Sequence, residues 1–269
     1  MRRDDVIISI SQALERDERV GGLFLSGSLG LGTADRFSDI DLLAVAPREV
    51  HGMIVAEYRA SLKGLLPIVF WRERAAESLL VNAITGDWLR IDFLLVSPER
   101  LSGYARDAAK PLFDRQNLFD TMLLASAPPR PNRARVEFLI NEFIRVLGLL
   151  VVVVGREEFE TGVTGAGLLR TQLTDLLVEA AGSSNKGGAL HLSRILTPRQ
   201  RHALRDLPSP LPTRDSVIEA HLAIARVFLP LAQTLAAQLD LSWPDAFEAA
   251  TWSYLELELG VTRLPCPAT

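Results

Sequence analysis

The sequence predicts an α+β protein: a mixed α/β domain over residues 1–127, followed by a C-terminal α-helical bundle over residues 133–262. Three observations predict it. Helix-period and strand-period apolar patterns alternate through the first half. A proline-rich break, Ala125-Ser126-Ala127-Pro128-Pro129-Arg130-Pro131-Asn132, interrupts both periods and reads as the linker. Beyond it only helical patterns recur.

Asp4 to Asp17 reads as a helix, with Asp4 as cap and Val6, Ile10 and Leu14 on one stripe. Gly22 to Leu25 begins the first strand, and Asp39 to Val45 is the second. Pro47 opens a helix that runs to about Lys63, and Leu66 to Trp71 is a third short strand. Leu79 to Thr85 and Trp88 to Val96 read as a hairpin around Gly86-Asp87. Past the linker, Arg133 to Val154 is one long helix ending at Gly155, and Ala166 to Ala181 is another, stopped by Gly182. A Gly187-Gly188 turn follows. Pro198 to Asp206 is a short helix, Asp215 to Leu239 a long one, and Pro244 to Leu259 the last, with Gly260 as its stop.

The whole-chain numbers bound the function. The chain has 269 residues, 48% of them hydrophobic, which is ample for a core. A formal net charge of −4 and no basic stripe argue against tracking a nucleic-acid backbone, so no nucleic-acid partner is expected. The single cysteine, Cys266, cannot close an intrachain disulfide or a zinc cluster, which makes a reducing cytoplasm the expected location. Met1-Arg2-Arg3 runs into Asp4-Asp5 rather than an apolar signal core. The most apolar run, Val146 to Val154, is too short to span a bilayer and reads as a buried helix end, so no membrane partner is expected. His51, His191, His202 and His221 lie in separate segments and read as structural. Trp71, Trp88, Trp243 and Trp252 read as core or interface. The stripe Val217, His221, Ile224, Val227 and Leu231 reads as bundle packing, part of it a candidate homodimer face.

The chemistry concentrates near one turn. An apolar strand runs into Gly27-Ser28, and a second strand opens on Asp39-Ile40-Asp41. Side chains alternate along a strand, so Asp39 and Asp41 point the same way. Paired carboxylates repel unless a cation lies between them, and an oxygen-only ligand set suits Mg²⁺. The Gly-Ser turn can offer backbone N–H groups and a hydroxyl to phosphate oxygens. In the strand Trp88 to Val96, Leu89, Ile91, Phe93 and Leu95 share one face and Trp88, Arg90 and Asp92 the other. A carboxylate in mid-strand needs a reason, and facing the same metal site as Asp39 and Asp41 supplies one. Two metal ions can serve both ends of an in-line phosphoryl displacement. Asp92 could also take the proton from an acceptor hydroxyl. Arg36, Arg72 and Arg90 are candidate phosphate clamps. Gly30 and Gly32 read as loop flexibility.

Gly27-Ser28, Asp39-Ile40-Asp41 and Asp92 together resemble the signature of the DNA polymerase β-like nucleotidyltransferase superfamily, over roughly residues 20 to 96. The resemblance implies a small mixed sheet, Mg²⁺ and an NTP donor, ATP foremost. A minimal catalytic domain joined to a helical bundle is similar to the lincosamide and aminoglycoside adenylyltransferases. That likeness implies a small-molecule acceptor, a helical domain that helps to form its pocket, and an antibiotic-resistance role. Glu142, Asp175 and Glu179 are candidate acceptor contacts, while Glu157, Glu158 and Glu160 fit a solvent-facing role equally well. Two other readings stay open: a protein-adenylylating minimal nucleotidyltransferase, and a degenerate module that binds nucleotide without chemistry.

Overall fold

The computed structural model describes residues 2–124, 130–182 and 192–262. Part of the proline-rich linker, the Gly187-Gly188 turn, His191 and Cys266 lie outside these residues. The chain forms two compact units, Met1–Ala127 and Pro128–Thr269.

In the first unit, helix α1 (Arg3–Glu15) leads into β1 (Gly22–Leu25), a single helical turn α2 (Gly27–Gly30) and β2 (Ile40–Val45). Helix α3 (His51–Leu65) then precedes β3 (Ile68–Ala75), β4 (Leu79–Thr85), β5 (Arg90–Val96) and β6 (Lys110–Asp114). The six strands form one mixed sheet in the order β3-β4-β5-β2-β1-β6. β2 and β5 run parallel, and every other neighbouring pair is antiparallel. Strand alternation sorts the residues by face. Ile40, Leu42 and Ala44 of β2 lie with Ile91, Phe93 and Leu95 of β5 in a core covered by Val6, Ile10 and Leu14 of α1 and Ile54, Tyr58 and Leu62 of α3. On the other face Phe24, Leu43, Val45 and Val96 pack with Leu101, Leu118 and Met122. Asp41 and Asp92 precede Leu43 and Leu94 by two positions, so they sit at one end of this second face.

The second unit is helical: α4 (Arg133–Gly155), α5 (Phe159–Ala180), α6 (Leu192–Ile195), α7 (Pro198–Arg205), α8 (Arg214–Gln238) and α9 (Asp245–Leu259). The Asn132 side chain caps α4 by accepting from the Arg135 backbone N–H. Phe143 of α4 stacks on Phe228 of α8, both fully buried. Val217, His221 and Ile224 are buried in this core and Val227 and Leu231 pack against it, so that stripe is bundle packing. Helices α4 and α8 are long and apolar enough to cross a membrane by length and composition alone, yet their buried residues form the bundle core.

Several elements differ from the sequence reading. The Gly27-Ser28 turn is one turn of helix, β3 continues to Ala75, and β6 is an added edge strand. β5 starts at Arg90, because Trp88 adopts a left-handed backbone (φ 65°) in the hairpin turn. Trp88 is 75% exposed, which removes the core half of its core-or-interface reading. Helix α5 begins at Phe159, seven residues before the expected Ala166. Its Gly162 serves close packing: a Cβ there would stand 2.6 Å from Val217 Cγ1.

Candidate active site

The parallel pairing of β2 with β5 builds the centre of the site. It sets Asp41 opposite Asp92, and Asp39 precedes β2 by one residue. Asp39, Asp41 and Asp92 each offer a carboxylate oxygen within 4.8 Å of the other two. All three are half-buried. A tied loop delivers Asp39: Asp35 Oδ1 accepts from the Phe37 N–H, and Ser38 Oγ accepts from the Asp35 N–H. Arg3 Nη1 donates to the Asp35 carbonyl at 2.7 Å.

Such crowding has an electrostatic cost. Burial, and then the charges of Asp39 and Asp92, push the Asp41 carboxyl up to about 6, while Arg90 opposes the rise. Arg90 Nη2 lies 3.4 Å from Asp39 Oδ2 and donates to the Phe37 carbonyl at 3.1 Å. Arg90 thus offsets part of the charge of Asp39 and Asp41. The remaining negative charge and the all-oxygen donor set fit a hard divalent cation such as Mg²⁺.

The Gly27 turn abuts the same carboxylates. Gly27 has φ 55°, and a Cβ there would lie 2.0 Å from Asp41 Oδ2. Only glycine lets the backbone approach Asp41 this closely. The Ser26 N–H donates to the Asp41 carbonyl at 2.9 Å. Ser28 Oγ is shielded and has no hydrogen-bond partner. Gly30 is a packing residue rather than a flexible one, since a Cβ there would stand 2.3 Å from the Ala108 carbonyl.

Of the remaining arginines, Arg36 is exposed, with its guanidinium 4.3 Å from the Phe37 ring centroid. Arg72 opens a row across the sheet: it is paired in register with Asn82, Asn82 with Asp92, and Asp92 with Asp41. Asn82 is the site residue that sequence reasoning missed. Its Nδ2 donates to Asp92 Oδ1 at 2.7 Å, and its Oδ1 accepts from Arg74 Nη2 at 3.2 Å. A lone asparagine inside a strand was the available signal, because asparagine is disfavoured there.

The profile of the nucleotidyltransferase domain family matches residues 7–160. The chain belongs to that family. It is a nucleotidyltransferase, an enzyme that transfers a nucleoside monophosphate. No curated protein sequence matches it. Among solved structures, the nucleotidyltransferase is similar to an aminoglycoside 6-adenyltransferase from Bacillus subtilis at 14% identity, covering 96% of this chain and 100% of that one, with a TM-score of 0.44. It is similar to a nucleotidyltransferase-like protein from Exiguobacterium sibiricum 255-15 at 14% identity, covering 96% and 89%, with a TM-score of 0.41. A GLD-2/RNP-8 complex gives 13% identity, 95% and 90% coverage and a TM-score of 0.27.

In the nucleotidyltransferase's helical unit the candidate acceptor contacts are already engaged. Glu142 is ion-paired with Arg145 and Asp175 with Arg135, both at 2.6 Å. Glu179 is buried and accepts from the Asn132 N–H at 2.9 Å.

Proposed function

We propose that this nucleotidyltransferase moves AMP from ATP to a hydroxyl of a small-molecule acceptor, an antibiotic of lincosamide or aminoglycoside type, with Mg²⁺ bound by Asp39, Asp41 and Asp92. The observation that carries the reading is the convergence of these three carboxylates from two strands beside Gly27. Bound divalent cation would offset the triphosphate charge and the charge that builds on the departing pyrophosphate.

The chain's own residues supply the rest. Asp39 and Asp41 hold the cation, and the Gly27-Ser28 turn receives the β- and γ-phosphates. Asp92 accepts the proton as the acceptor oxygen attacks the α-phosphorus. The bond from that phosphorus to the bridging oxygen breaks, and pyrophosphate leaves. Arg90 keeps Asp39 placed and tempers the repulsion at Asp41. Arg36 and Arg72 reach phosphate oxygens. The helical unit binds the acceptor and carries a homodimer face, and the enzyme works in the cytoplasm on a nucleotide and a small molecule rather than a nucleic acid or a membrane.

The test is pyrophosphate release with ATP, Mg²⁺ and a panel of lincosamides and aminoglycosides, beside Asp39→Asn. Acceptor-dependent release that the variant abolishes supports the reading. Release that survives it removes the metal site. Labelling of a protein in a lysate incubated with labelled ATP, with no turnover of any small molecule, would move the acceptor to a protein.

A further inference from the structure

We infer that Asn82 is a positioning residue that holds the Asp92 carboxylate in its working orientation without neutralising it. The inference rests on the reading of Asp92 as a cation ligand and proton acceptor.

Asn82 and Asp92 are register partners on β4 and β5, so their side chains leave the sheet on the same face. The amide is held at both ends. Nδ2 donates to Asp92 Oδ1 at 2.7 Å, and Oδ1 accepts from Arg74 Nη2 at 3.2 Å. Reversing the amide would set its carbonyl against the carboxylate and its NH₂ against the guanidinium. Both contacts would be repulsive, so the two charged neighbours fix the amide, and the amide fixes the plane of the carboxylate. The chemical choice is informative. An arginine or lysine at position 82 would pair with Asp92 and cancel the charge needed to bind a cation or take a proton. Arg74 is kept one residue further out, with a neutral amide between it and Asp92. The row therefore runs from cation through amide to carboxylate, and it is the amide that meets Asp92 Oδ1.

Residues that orient a ligand without binding the ion commonly change metal affinity or activity about 10–100-fold. The experiment measures Mn²⁺ binding by electron paramagnetic resonance, without nucleotide, together with kcat and KM for ATP. The proteins are the full chain, Asn82→Leu, Asp92→Asn and the double variant. Thermal unfolding checks that each is folded. Asn82→Leu is expected to weaken Mn²⁺ about tenfold and to lower kcat by a similar factor, with KM for ATP within about twofold. Added to Asp92→Asn, it should cost nothing more, because it acts through Asp92.

Two results overturn the inference while leaving the metal site standing: unchanged Mn²⁺ affinity in folded Asn82→Leu while Asp92→Asn loses it, or a further loss in the double variant. If Asp92→Asn itself binds Mn²⁺ as the parent does, the ligand reading fails and the inference with it. Should Asn82→Leu not fold, Arg74→Ala on the exposed end of the row carries the same test. It is expected to weaken Mn²⁺ about threefold, and an unchanged affinity overturns the inference.

Discussion

Asp41 and Asp92 stand directly opposite one another on the parallel strands β2 and β5. Their juxtaposition, with Asp39 alongside, carries an electrostatic cost, and that cost depends on pH. With its pKa raised to about 6, Asp41 binds its proton more tightly in the folded chain than in the unfolded one. The sign follows: this group favours the folded state at low pH, and that contribution is lost as pH rises from about 4 through about 6. Asp41→Asn is expected to raise Tm in EDTA at pH 7.5 by roughly 2–6 °C, with the gap closing near pH 4. Solvent screening at this half-buried carboxylate keeps the effect modest. Added Mg²⁺ should stabilise the parent and not the variant. A Tm difference independent of pH would sink the argument. Activity of Asp41→Asn should fall by at least about 100-fold, since a direct ligand matters more than the groups that orient it.

Gly27→Ala tests the approach of backbone to carboxylate. The new Cβ would overlap Asp41 Oδ2 and would sit at φ 55°. The backbone alone costs about 1–2 kcal/mol, and Asp41 must also move. The expected result is a loss of kcat/KM of about 100-fold or more. Gly32→Ala is the control: φ is 69° there, but nothing lies within 4 Å of the added methyl. It should cost the same backbone strain and leave activity within about twofold. Equal activity losses in the two variants would show that strain, not the displaced carboxylate, sets the effect.

These two pairs also show what was legible in the sequence. Asp39 and Asp41 stood out because two-residue spacing in an apolar strand places them together, and Asp92 because it interrupts an apolar strand. Asn82 did not, because its partner depends on strand register, which a single sequence does not carry. β6 was hidden by Pro111 and by charges at both ends of Lys110–Asp114. An edge strand tolerates proline, and here the pairing with β1 shifts register beside it. The start of α5 was hidden because Gly162 and Gly165 lie ahead of Ala166 and glycine is a poor helix former, whereas tertiary packing overrides that propensity.

Tyr58 offers a prediction of the opposite sign. Its ring stacks on Phe93 at a centroid distance of 4.3 Å, and its hydroxyl is buried with no hydrogen-bond partner. Burial and the charge of Asp92 both raise the phenol's pKa, so it stays neutral. An unmet buried hydroxyl costs about 1–3 kcal/mol. Tyr58→Phe should therefore stabilise the protein by about 1 kcal/mol in urea unfolding with kcat unchanged. A clear loss of stability would mean that the hydroxyl has a partner, such as an ordered water.

The glycines of α5 separate packing from propensity. Replacing a helical glycine with alanine gains about 1 kcal/mol where space allows. Gly167 is exposed, with nothing within 4 Å of an added Cβ, so Gly167→Ala should gain up to that amount. Gly162 is buried against α8, where the same methyl would stand 2.6 Å from Val217 Cγ1 and 3.0 Å from Val153 Cγ1. Two branched side chains cannot both withdraw in a packed core, and overpacking costs about 1–3 kcal/mol. Gly162→Ala is therefore expected to lose about 1 kcal/mol net, and Val217→Ala in the same chain should relieve part of that loss. If Gly162→Ala stabilised the protein as Gly167→Ala does, the close approach of α5 to α8 would not be what selects glycine there.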